Sequence, residues 1–135
     1  MEVSFTILGQ PVAKARPRVC KWGTYTPQKT VNYETLVKLC YSEQVGDKGL
    51  LQGALRMTIV AYMSIPKRSS KANRLKMISG EIRPTPRPDL DNIQKIVSDA
   101  LNEIAYKDDS YIVETFSGKW YSERPRLEVS IEEIF

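Results

Sequence analysis

Histidine is absent from the 135-residue sequence. Its absence excludes Ser-His-Asp triads, histidine general bases and zinc sites built on imidazole. Cysteine is scarce: Cys20 and Cys40 are too few and too far apart for a zinc cage or a disulfide framework, and they read as reduced thiols of a cytoplasmic protein. No apolar run approaches the ~20 residues of a membrane-spanning helix. The first residues lack the basic-then-apolar pattern of a signal peptide. Repeats, low-complexity tracts and linker-like stretches are missing too, so residues 1–135 read as one domain around one core, with no membrane association.

What is present is charge, and its arrangement says more than the net +4. From Val3 to Tyr33 there are five basic residues (Lys14, Arg16, Arg18, Lys21, Lys29) and no acid. From Lys67 to Arg87 there are seven basic residues against the single acid Glu81. From Asp89 to Glu114 the balance inverts, with seven acids against Lys95 and Lys107. Two basic stretches around an acidic cluster suit a protein that attracts a polyanion and holds a hard cation against it. For any one stretch taken alone, solvation of exposed faces is the better explanation, and it is the combination that points further.

Hydrophobic periodicity predicts the elements. Met1–Leu8 alternates through Val3, Phe5 and Ile7 and reads as a strand, and Gly9–Gly23 reads as a basic loop broken by Pro11 and Pro17. Thr26-Pro27 predicts a helix start, with Thr26 as N-cap and Tyr33, Leu36, Val37 and Cys40 on the apolar face of a helix that stops before Gly46. Ala54–Met63 alternates again. Ser69 or Ser70 is placed to cap a short basic helix ending at Gly80. The run Arg83-Pro84-Thr85-Pro86-Arg87-Pro88 forbids helix. Ile93, Ile96, Val97, Ala100, Leu101 and Ile104 form one continuous helical stripe. Tyr111–Tyr121 and Arg126–Ile134, separated by Ser122–Pro125, read as a closing hairpin. The expected fold is α/β or α+β: a mixed sheet of about four strands with helices packed on it.

Chemistry concentrates in Asp89-Leu90-Asp91-Asn92-Ile93-Gln94-Lys95. Residues two apart in an extended segment point the same way, so Asp89 and Asp91 present both carboxylates on one side. Lys95 lies one helical turn further on. Clustered carboxylates repel, and Mg²⁺ relieves the repulsion while lowering the pKa of a bound water and stabilising charge on a phosphoryl oxygen. A nearby lysine assists at the developing pentacoordinate phosphate. Helix capping by Asp91 and turn chemistry at Asp89 and Asp108-Asp109 are the structural alternatives.

These residues resemble the RusA family of Holliday junction resolvases. That family carries Asp-x-Asp-Asn-x-x-Lys at a helix start and an Asp-Asp pair before a strand, matched here by Asp89–Lys95 and Asp108-Asp109. The stretch Gly9-Gln10-Pro11-Val12-Ala13-Lys14-Ala15-Arg16-Pro17-Arg18 is similar to the family's Pro-Val-x-Lys-x-Arg-Pro-Arg, and Thr24-Tyr25-Thr26-Pro27 is similar as well. Some members have arginine directly before the first aspartate, where this chain has Pro88, with Arg87 one residue earlier. The resemblance implies a bacterial or prophage-encoded homodimer that nicks four-way DNA symmetrically with Mg²⁺, for which Mn²⁺ substitutes, leaving 5′-phosphate ends. It makes Asp89, Asp91 and Asp109 the metal ligands and Lys95 the essential lysine. Lys14, Arg16, Arg18, Lys21, Lys67, Arg68, Lys71 and Arg87 are the candidate DNA contacts. The alternatives are a branched-DNA-binding protein without catalysis, or a nuclease acting on flaps or forks.

Overall fold

The structure is a computed structural model and describes residues 1–134. In chain order its elements are β1 (Glu2–Leu8), β2 (Arg18–Cys20), β3 (Gly23–Tyr25), α1 (Gln28–Gln44), β4 (Leu55–Ser64), α2 (Lys71–Ser79), α3 (Leu90–Ala100), a single 3₁₀ turn (Asp109–Tyr111), β5 (Ile112–Ser122) and β6 (Arg126–Glu133). Four strands form one mixed sheet in the order β1-β6-β4-β5, with β4 and β5 parallel and the other pairs antiparallel. The expected α+β architecture is therefore observed.

Alternation decides which face is covered. Val3, Phe5 and Ile7 from β1, Leu55, Met57, Ile59, Ala61 and Met63 from β4, and Leu127, Val129 and Ile131 from β6 are all buried. Against them pack Tyr33, Val37 and Tyr41 from α1 and Ile93, Ile96, Val97 and Ala100 from α3. Full burial of each Ile or Leu contributes roughly 1.5–3 kcal/mol relative to exposure.

The parallel pairing of β4 with β5 positions the site. Parallel neighbours need a crossover connection, and α2, the proline-rich segment and α3 supply it. The crossover returns the chain from the end of β4 to its start, where Ile112 pairs with Leu55. The proline segment is clamped to β5. Arg83 Nε donates to the Lys119 carbonyl at 2.6 Å, and its guanidinium stacks on Trp120 at 3.3 Å. Lys119 Nζ donates to the carbonyls of Pro86 and Pro88, each at 3.0 Å. The Arg87–Pro88 peptide is cis.

Five sequence expectations are corrected. First, β5 and β6 do not form a hairpin, because β4 lies between them. Glu123–Pro125 carry the chain across the end of β4, about 10 Å for two interstrand spacings, within reach of three extended residues. The reason is burial: β4 hides five side chains and takes a central place, whereas β5 fully buries only Gly118 and suits an edge. Second, the basic loop contains the antiparallel ribbon β2–β3. Third, α1 has Pro27 rather than Thr26 at its cap, without a side-chain capping bond. Fourth, its core face is Thr30, Tyr33, Val37 and Tyr41, while Leu36 is exposed and Cys40 only half-buried. Fifth, α3 ends at Ala100, so Ile104 lies beyond the helix and the stripe closes with Leu101, Ala105 and Tyr106 in the following turns. The α2 expectation holds, with Ser70 Oγ accepting from the Asn73 N–H at 3.1 Å and Gly80 closing the helix in the left-handed conformation.

Candidate active site

At the head of α3, Asp89 occupies the N-cap position in extended conformation but makes no capping hydrogen bond through its side chain. Asp91 lies in the first turn, where its Oδ1 accepts only from the Asn92 N–H at 3.0 Å. Both carboxylates are exposed, and so is Lys95 one turn on. Among the described residues Lys95 makes no ion pair. Capping therefore does not consume the aspartates, and a helical pair with Asp99 does not consume the lysine.

A second acidic group lies at the tail of α3. Asp108 is turn chemistry: its carboxylate accepts from the Ser110 N–H at 3.1 Å, and hydrogen bonding from the Ser110 hydroxyl first, then from that N–H, holds its pKa below the usual carboxylate value. Asp109 is different. Partial burial raises its pKa first, and Asp99, within hydrogen-bonding reach, and the Asp108 charge raise it further. Buried Tyr106 borders the group; its hydroxyl donates to the Ser98 carbonyl at 2.7 Å, and burial, then the Asp109 and Asp99 charges, push its phenol well up.

Lys14 links the two groups. Its backbone N–H donates to the Asn92 carbonyl at 2.9 Å, next to Asp91. Its ammonium reaches Glu34 of α1 at 2.6 Å and Asp99 at 3.4 Å. Burial pulls its pKa down, but the two carboxylates outweigh that, and the net shift is upward.

Residues 9–132, which span all of these groups, match the family model of endodeoxyribonuclease RusA. The chain belongs to the RusA family. It is also similar to YqaN of Bacillus subtilis (strain 168), an uncharacterized protein 38% identical over 98% of this chain and 96% of that one.

The RusA membership makes a hard divalent cation the relevant cofactor, and the donor chemistry fits one: Asp89, Asp91, Asp99 and Asp109 are all oxygen donors. Their gathering is partial. Among the described residues no three acidic side chains converge on one point. At 1.5 Å per residue, roughly 12 Å of helix axis separates the levels of Asp91 and Asp99, and Asp109 sits beside Asp99. Asp109 is thus grouped with Asp99, while Asp89 and Asp91 stand at the head of α3, where Asp91 is already helical and the extended spacing expected to align the two carboxylates does not apply. That still suits Mg²⁺, which binds through one or two carboxylates and keeps several waters.

Of the candidate phosphate contacts, Arg16, Arg18, Lys21, Lys67, Arg68, Lys71 and Arg87 are exposed. Lys14 stands apart, since its ammonium is held by Glu34 and Asp99. Sequence reasoning missed Asp99 and Glu34 as members of the site. Asp99 stands one helical turn beyond Lys95, on the face the motif already marked, and that spacing was the available signal. Nothing local marked Glu34. No helix of the described residues is long and apolar enough to cross a membrane.

Proposed function

We propose that this RusA-family chain is a Mg²⁺-dependent, structure-selective endodeoxyribonuclease that resolves four-way (Holliday) DNA junctions by paired symmetrical nicks in recombination and repair. One observation carries the reading: within the family-matched span, the head of α3 presents Asp89, Asp91 and Lys95 exposed and free of capping or pairing duties. Asp89 and Asp91 are the carboxylates that would hold Mg²⁺, or Mn²⁺ in its place, at the head of α3, and the ion would have to draw Asp109 toward them from the other end of the helix. When bound, such an ion supplies a nucleophile at neutral pH and stabilises charge on a phosphoryl oxygen.

The chain's own residues do the rest. Lys95 places a fixed positive charge one turn from Asp91, where it stabilises charge developing on the phosphate or its leaving oxygen. Arg16, Arg18 and Lys21 on one side, and Lys67, Arg68, Lys71 and Arg87 on the other, hold the backbone phosphates. Paired nicks require two sites related by a two-fold axis, so the working unit is a homodimer. The setting is a bacterial or prophage cytoplasm.

The test is incubation of the purified protein with labelled four-way junction, fork, flap and linear duplex, with Mg²⁺ and with EDTA. Cleavage of the junction in Mg²⁺ alone, giving 5′-phosphate ends, is expected. Asp91→Asn removes a ligand at constant volume, and it is expected to abolish cleavage while leaving fold and junction binding intact. Full single-turnover activity in that variant refutes the site. Preferred cutting of forks or flaps moves the substrate, and binding without cutting in any metal leaves a non-catalytic DNA-binding protein.

A further inference from the structure

The ribbon β2–β3 has no role in the reading above beyond its charges, yet its shape is unusual. Every residue from Arg16 to Thr26 is exposed. Arg18 pairs with Tyr25 and Cys20 with Gly23, which leaves Lys21 and Trp22 as the two-residue turn at the tip. There the indole of Trp22 is 88% exposed, with Val19 83% exposed behind it. At the end of the arm, Trp22 and Val19 expose apolar surface that the fold itself does not cover.

The charge around it selects the partner. Arg16, Arg18 and Lys21 lie along the arm that carries the indole, Lys29 follows it at the start of α1, and no acid occurs between Val3 and Tyr33. The Lys21 ammonium lies 5.5 Å from the Trp22 ring centroid. An aromatic plane among unpaired cations is the pattern that stacks on a nucleobase while the cations follow the phosphates. The root of the arm fixes where this happens. Ala15 N–H donates to the buried Thr30 Oγ1 at 3.3 Å, and Lys14 N–H donates to the Asn92 carbonyl beside Asp91. From that root to the tip is at most about 23 Å for seven extended residues, a distance that keeps Trp22 and the α3 carboxylates on one stretch of nucleic acid.

We propose that Trp22 is the branch sensor of this protein: the indole stacks on a base or base-pair face laid open at a DNA branch point, while the arm's cations hold the flanking phosphates. This rests on the nuclease reading and adds the means of discrimination. In continuous duplex each base-pair face is covered by its neighbours, so the indole gains a contact only where stacking is interrupted. The arm confers preference for branched over linear DNA, and the α3 residues confer cutting.

The test compares wild type, Trp22→Ala and Trp22→Phe on a synthetic four-way junction and a long linear duplex of the same arm sequence, in Ca²⁺ to suppress cleavage. The junction carries 2-aminopurine at the branch. Trp22→Ala is expected to lose about tenfold or more of junction affinity and little on linear duplex, with an unchanged melting curve because the side chain is exposed. Trp22→Phe keeps most of the affinity. Wild-type binding changes the 2-aminopurine emission at the branch, and Trp22→Ala does not. Equal losses on both DNAs, or no loss on either, overturn the proposal. A change in sedimentation of Trp22→Ala with junction affinity intact overturns it by making the indole a contact between copies. If the wild type fails to bind any branched DNA, the nuclease reading falls and takes this one with it, which separates that failure from failure of the sensor alone.

Discussion

Replacing Lys14 by methionine tests whether the basic loop faces DNA or the core. The change keeps the side chain's length and apolar stem and deletes the ammonium that bridges Glu34 at 2.6 Å and Asp99 at 3.4 Å. The three side chains are only 20–28% exposed, between the surface limit of about 0–1 kcal/mol and the about 3–5 kcal/mol lost on breaking a buried pair. Two half-buried carboxylates left without a cation, one of them against Asp109, place the cost at about 1–3 kcal/mol. An unfolding entropy of about 2.1 cal/mol/K per residue over 135 residues converts that into a Tm lower by roughly 4–11 °C. The pH dependence is fixed in sign. Because the folded pKa of Lys14 lies above 10.5, its contribution is fully present below 10.5 and is lost as pH rises through the raised value. The Tm gap between wild type and Lys14→Met therefore stays constant across neutral pH and narrows in strong alkali. Melting by circular dichroism, with Glu34→Gln and the double variant completing a cycle, measures it. An unchanged Tm, together with a salt slope for junction binding flattened by about 0.9, would refute the reasoning and return Lys14 to the DNA surface.

Arg16→Ala and Arg18→Ala, on the exposed side of the same loop, are each expected to flatten the log–log salt dependence by about 0.9 and to leave Tm and saturated turnover unchanged; binding titrations at several salt concentrations in Ca²⁺ decide it. Lys95→Ala is expected to slow single-turnover cleavage by ~10²-fold or more, and normal turnover would remove Lys95 from the chemistry. Asp109→Asn is expected to lose cleavage and melt slightly higher at neutral pH. The raised pKa of Asp109 means that its ionised form is disfavoured by the fold: its contribution is present below about pH 3.8 and is lost as pH rises through the folded value. A lower Tm would contradict that. Asp108→Asn is expected to reduce cleavage mildly, because that carboxylate is engaged with the Ser110 N–H.

By itself the sequence determined what depends on neighbours along the chain. Period-two runs at Val3–Ile7 and Leu55–Met63 and the stripe from Ile93 to Leu101 were enough to place two strands and the central helix, since each must turn one face inward. The same local logic found Asp89, Asp91 and Lys95 and the RusA membership that those residues carry. Tertiary structure decided everything that depends on which element lies beside which. Alternation cannot reveal that β4 comes between β5 and β6, because a strand reads alike whichever neighbour completes its hydrogen bonds. Charge counts could not separate Lys14 from Arg16, two residues apart in one basic loop. Only the approach of α1 and α3 turns the first toward Glu34 and Asp99 and leaves the second in water. The crossover that returns α3 along β4 set Asp109 beside Asp99 rather than among the residues at the head of the helix. That placement follows from the direction of a whole element and is written in no single residue.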